Sequence, residues 1–315
     1  MRKVLGTIIL LIGSIIWGFA FVAQKEATNY LDAFSLNGIR FLIGALVLLP
    51  FVIFKNFKNK NTVKKDNKIL LIAGVSCGIF LFIAANLQQF AISLYPSDAN
   101  VSGRTGFITT LYVVFVPILS LFMKKKLGLN SIISVILATI GLYLLCFSGG
   151  IDSVYFGDLI TLLCAFAFSL QIMCIDTFSS KVDGIKLAFL EFLVCGILSS
   201  ILMIFIEKPS INNILQAWLP ILYLGVLSSG VGYTMQVIGQ QYSQNPSLDS
   251  ILMSLESVFA LLGGVIFFNE TFKKNEIIGC IIMFVAVIIA QLSFPKISSK
   301  NKKENDIQVK RTIKK

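Results

Sequence analysis

Long apolar runs alternate with short polar breaks along the whole chain, and ten runs can be marked at about 4–23, 33–54, 69–92, 99–123, 130–148, 155–177, 185–206, 214–238, 247–268 and 276–294. Each is near the ~20 residues a helix needs to cross a hydrocarbon layer ~30 Å thick. The breaks between them are too short to house a soluble domain. The pattern predicts an all-α integral membrane protein with ten transmembrane helices. The first run, behind Arg2 and Lys3, has the look of a signal peptide, but its apolar part is too long and nine further runs follow. It is read as a retained first helix.

Composition agrees: 56% of the 315 residues are hydrophobic, 14% are charged, and the mean hydropathy is +0.84. A soluble domain could not cover that much apolar surface. The net charge of +11 does not argue for nucleic acid, because the lysines lie in loops beside the runs and in the tail. With the N-terminus inside, 21 of the 27 basic residues fall on cytoplasmic segments and four (Lys25, Lys208, Lys273, Lys274) on the other side, with Arg40 and Arg104 within runs. The bias predicts a multi-pass protein of the plasma membrane with both termini cytoplasmic and anionic lipid at that face. The tail, 295–315, is too polar to pack and is predicted to be disordered. All six cysteines fall in apolar runs without CxxC spacing, which points to packing and to neither metal nor disulfide. No cofactor is implied. Oligomeric state is open, with a homodimer among the allowed assemblies.

An internal repeat gives the architecture. A shift of 151 sets Gly18 to Lys25 over Ser169 to Asp176 and Arg40 to Leu42 over Glu191 to Leu193; 148 sets Leu87 over Met235; 144 sets Leu111 to Phe115 over Leu255 to Phe259. The halves, 1–148 and 149–294, then hold five runs each, and an odd number turns them upside down relative to one another. Such inverted repeats place a substrate site at their interface near the midplane.

The run 245–264, NPSLDSILMSLESVFALLGG, carries the most expensive residue. Asn245, Pro246, Ser247 and Asp249 suit a helix start, and Glu256 follows nine residues after Ser247, about 13 Å along the axis and near the midplane. A charged group there costs roughly 2.5–3.5 kcal/mol and usually faces a wet cavity or a partner. A glutamate hydrogen-bonded to a neighbouring helix for structure alone is the plainer alternative.

The segments IIWGFAFVAQKEA, NGIRFLIGALVLLP, VSGRTGFITTLYVVFVPILSLFMKKK, FGDLITLLCAFAFSLQIMCID and LGVLSSGVGYTMQVIGQQYSQNPSLDSILMSLESVFALLGG together resemble the EamA-type transporters of the drug/metabolite transporter superfamily, over about residues 4–294. The resemblance implies two inverted five-helix halves, a central cavity lined by helices 1, 3, 4, 6, 8 and 9, and peripheral helices 5 and 10. It leaves the solute open. Ser257 stands where many relatives have proline after the glutamate, which leaves the bending of helix 9 open.

Candidate binding or coupling residues follow. Tyr112 is the repeat counterpart of Glu256, so a phenol and a carboxyl are expected to face each other at one depth. Trp17 beside Gly18 offers an amphipathic ring, or a packed one. Gln88, Gln236 and Gln171 are amides within runs, suited to a polar solute or to helix–helix hydrogen bonds. Arg104, between glycines in SGRTGF, has room to reach a solute carboxylate, or anchors on Asp98. Arg40 and Glu191 share a repeat position but different depths, and are read as gate or scaffold residues rather than as a pair. Asp158 and Asp176 bracket the sixth run as boundary residues. The absence of histidine excludes HExxH sites and serine–histidine dyads, and no GxxxxGK[ST] supports direct ATP use. The expected activity is secondary transport of small organic solutes, amino acids or metabolites, by efflux or exchange and with Glu256 as the proton-responsive group. An uncoupled facilitator or a channel-like pore is the alternative.

Overall fold

The computed structural model describes residues 2–58, 67–96, 101–124, 128–146, 155–268 and 274–291; the tail at 295–315, and Asp98 as an anchor for Arg104, lie outside them. Among the described residues the regular elements are all helices. They are α1 (Arg2–Ala27), α2 (Ala33–Lys58), α3 (Asn67–Ser93), α4 (Val101–Thr110), α5 (Tyr112–Phe122), α6 (Leu129–Cys146), α7 (Phe156–Ser179) and α8 (Gly184–Leu202), which runs on as a π-helical turn, Met203–Glu207. Then follow α9 (Ile211–Gln216), α10 (Trp218–Leu222), a π-helical segment Tyr223–Tyr233, α11 (Thr234–Ser243), α12 (Pro246–Met253), α13 (Glu256–Phe268) and α14 (Lys274–Gln291). Eight helical stretches are long and apolar enough to cross a membrane, and the shorter apolar helices Leu129–Gly141 and Ile277–Ala290 stand where the fifth and tenth runs were marked.

Helix ends are fixed by local chemistry. Asn245 caps α12 by accepting from the Leu248 amide, with Pro246 in the first turn where its missing N–H costs nothing. Asp183 caps α8 by accepting from the amides of Ile185 and Lys186. The start of α2 is capped from a distance: Glu207 accepts from the amides of Phe34 and Ser35, at 2.9 and 2.6 Å, and from the Ser35 hydroxyl. A carboxylate there also meets the positive end of the helix dipole. The eighth run departs from the expected single helix. Lys208 takes a left-handed conformation, Ser210 caps the separate α9, and crossing begins only at Trp218.

Packing pairs α2 with α8, α3 with α7 and α8, α1 with α11 and α13, and α6 with α14. Lipid removes the hydrophobic drive between helices, so close backbone approach through small residues takes its place. Gly74 and Gly78 of α3 meet Leu190 and Val194 of α8, and Gly225 and Ser229 of the π-helical segment meet Ile43 and Gly44 of α2. The tightest crossing is at Gly18 of α1. A Cβ there would run into the Phe259 Cβ and fall 2.8 Å from the Glu256 carbonyl oxygen. Only glycine brings α1 against the first turn of α13.

Candidate functional site

Two of the membrane-crossing helices are broken, and they break at matching places. Helix α4 ends at Thr110 and α5 begins at Tyr112; α12 ends at Met253 and α13 begins at Glu256. The triplets Thr110-Leu111-Tyr112 and Ser254-Leu255-Glu256 lie 144 residues apart. Before each break a hydroxyl turns back on its own helix: Thr110 donates to the Phe107 carbonyl at 2.7 Å and Ser254 to that of Ile251 at 2.8 Å. Bonds of this kind compete with the backbone ladder and bend helices. The ladder tightens to three-residue spacing on both sides of the turn, as in Val114 to Leu111 and Ser257 to Ser254. The break leaves Tyr112 and Glu256 each at the first position of a half-helix, and the phenol donates to the Glu256 carboxyl at 3.0 Å.

This pair stands in the wall of a buried cavity of about 40 Å³. Space of that measure holds roughly three waters, at ~10–15 Å³ each. Trp17, Phe21, Phe168 and Met253 supply apolar wall, and Gln24, Gln88, Thr109, Arg40, Tyr233 and Gln236 supply polar groups. Trp17 donates its indole N–H to the Ser228 carbonyl at 3.3 Å, within the π-helical segment, and its ring lies 4.8 Å from that of Tyr233. Segments of π-helix inside α-helices are frequent at functional sites.

Amides line two sides. On one, Gln24 donates to Gln88 at 2.9 Å and Gln88 to Thr109 at 3.2 Å. On the other, Gln236 and Gln171 exchange hydrogen bonds, and Gln171 donates to Glu191 at 2.7 Å. Gln171 and Glu191 thus stand behind Gln236 rather than in the wall.

The remaining residues fall in two places. Arg40 lines the cavity and makes no ion pair with Glu191. Arg104 is not in the wall. Its Nε and Nη2 each lie 2.6 Å from an oxygen of Asp158, which also accepts from the Tyr95 hydroxyl, and its guanidinium lies 4.7 Å from the Tyr155 ring centroid. Asp158, read from sequence as a boundary residue, is therefore the anchor that ties α4 to α7. Sequence reasoning missed Gln24, which stood just past the marked end of the first run, and Thr109 and Tyr233, whose residue types are common in helix interfaces.

A model of the EamA-like transporter family matches residues 4–147 and, a second time, residues 155–292. The chain belongs to the EamA-like transporter family. Relatives agree with this multi-pass EamA-like transporter across most of its length. An uncharacterized transporter of Archaeoglobus fulgidus is 29% identical over 89% of this chain and 83% of its own. One of Clostridium kluyveri is 25% identical over 91% and 89%. A WAT1-related chloroplastic protein of Arabidopsis thaliana is 23% identical over 89% and 67%. A solved crystal structure superposes with a TM-score of 0.70 at 18% identity, covering 90% of this chain and 95% of its own, which shows a common fold.

Proposed function

We propose that the chain is a ten-span carrier built of two inverted five-helix halves, 1–148 and 149–294, which moves small organic solutes across the plasma membrane by alternating access. The observation that carries the reading is the meeting of Tyr112 and Glu256 at the twin helix breaks, in the wall of one cavity. Helix pairings support the halves: α1 packs on α11 and α13 much as α7 packs on α3 and α5, while α2 pairs with α8 and α6 with α14. The cavity as it stands has room for a few waters, so a solute enters only when one side opens. Breaks in two wall helices are where such a motion would bend. Lysine and arginine placement favours cytoplasmic termini, with the basic tail at 295–315 on anionic lipid.

Solutes of amino-acid size, effluxed or exchanged, suit a cavity with amides, an arginine, a carboxyl and aromatic rings. Glu256 is the proton-responsive group of this carrier, because a carboxyl enclosed in one state and wetted in another changes its protonation with the cycle. The test is uptake into proteoliposomes under an imposed pH gradient. Glu256→Gln is expected to abolish gradient-driven accumulation while the protein inserts normally and counterflow persists. Full coupling in the variant would overturn Glu256 as the proton-responsive group, wild type that equilibrates solute without gradient-driven accumulation would favour an uncoupled facilitator, and flux that neither saturates nor shows counterflow would favour a pore.

A further inference from the structure

Arg40 is the cation that the cavity leaves without a counter-charge. The residue is 1% exposed, its Nε and Nη2 are buried without an acceptor, and its Cζ lies 4.7 Å from the Phe41 ring centroid. Neither of the two buried glutamates forms an ion pair with Arg40: Glu256 accepts from Tyr112, and Glu191 accepts from Gln171 through Oε1 while its Oε2 is buried without a partner. Arg40 takes part in neither the ion pair of Lys55 with Asp183 nor that of Arg104 with Asp158. A guanidinium taken out of water is costly unless it is paired, and an aromatic face offsets only part of that cost. Its donors form a planar fork that matches a carboxylate through two parallel N–H···O bonds.

We infer that Arg40 holds the carboxylate of the transported solute. The assignment rests on the carrier reading above and narrows its substrate class. One cation and one carboxyl line the cavity, so the charge-matched solute is a zwitterion, with its ammonium toward Glu256 and its side chain among Trp17, Phe21, Phe168 and Met253. A solute whose carboxylate is masked leaves the fork unpaired and is rejected, since an unpaired buried polar group discriminates more sharply than a lost apolar contact.

The experiment uses the full chain in liposomes and three probes for each of the proteinogenic L-amino acids: the free acid, its carboxamide and its decarboxylated amine. Wild type is expected to accumulate a subset of the free acids, with amide and amine at least about tenfold poorer. Arg40→Gln should weaken half-saturation for the same acids by about tenfold or more, with Arg40→Lys in between because it keeps charge and loses the fork. Monodispersity and melting temperature check that the variants fold. Amides moved as well as acids by wild type, or unchanged half-saturation in Arg40→Gln, overturns the inference while leaving a carrier. Absence of any uptake by folded wild type overturns the amino-acid-sized carrier reading itself, and the assignment with it. Should neither variant fold, the acid-to-amide ratio of wild type decides alone.

Discussion

Asp158→Asn tests the link between α4 and α7 most directly. The carboxylate accepts from Arg104 Nε and Nη2, both at 2.6 Å, from the Tyr95 hydroxyl at 2.8 Å and from the Tyr155 amide at 2.9 Å. The Arg104 and Asp158 side chains are 15% and 12% exposed, so solvent screens them only in part. Removing one partner of a fully buried pair costs ~3–5 kcal/mol, and an exposed pair is worth ~0–1 kcal/mol. Asparagine keeps one carbonyl acceptor and loses the charge, so a loss of about 2 kcal/mol is expected for the single variant. A cycle with Arg104→Gln should give a coupling energy of ~1–3 kcal/mol. The assay is thermal unfolding of the purified protein in detergent, read as shifts in apparent melting temperature across the four proteins. Additive effects would refute the latch. An Arg104→Gln protein of unchanged stability but altered solute affinity would return Arg104 to a binding role.

Two further outcomes follow from the same physics. Gly18→Val should destabilise by ~1–3 kcal/mol and lower transport more than stability requires, since the new side chain meets Phe259 and the Glu256 carbonyl at the break; melting temperature and uptake of one preparation check it. At the opposite end of the bundle, burial pulls the Asp183 carboxyl upward, but Lys55 at 2.8 Å and the amides of Lys186 and Ile185 outweigh it and hold the group below the usual carboxylate range. A depressed carboxyl contributes stability that is present above its unfolded pKa and is lost as pH falls through the folded one. The melting temperature of wild type should therefore fall more steeply below about pH 4 than that of Asp183→Asn, by no more than ~1 kcal/mol because Lys55 is a third exposed. Parallel curves would remove Asp183 from the account.

The spans were legible because bilayer crossing demands a long apolar run, and the demand is written residue by residue. Tyr112 and Glu256 were legible as facing partners because the repeat sets them at one position, Leu111 over Leu255. What hid from the sequence was anything set by rotation about a helix axis. Arg40 and Arg104 are both arginines within apolar runs, and the pattern around each is compatible with cavity, gate or anchor. Only the neighbours brought in by folding separate them: Asp158 from α7 reaches Arg104, and among the described residues no carboxylate forms an ion pair with Arg40. Gln24 lay outside the first run by a residue, and helix α1 in fact extends to Ala27.

The twin breaks were the least legible feature and bear most on how the proposed carrier would move. A search for proline finds Pro117, five residues past Tyr112, and finds none after Glu256, where Ser257 stands. Neither break falls at a proline. Both follow a hydroxyl residue that hydrogen-bonds back to its own helix, Thr110 in one half and Ser254 in the other. A proline kink is fixed by a missing donor and a clashing ring, and persists whatever surrounds it. A hydroxyl can release its carbonyl by rotating about one bond, so the ladder at Thr110 or Ser254 can re-form without changing a covalent group. In the carrier proposed above, breaks of this second kind are where the helices would bend reversibly, beside the meeting of Tyr112 and Glu256.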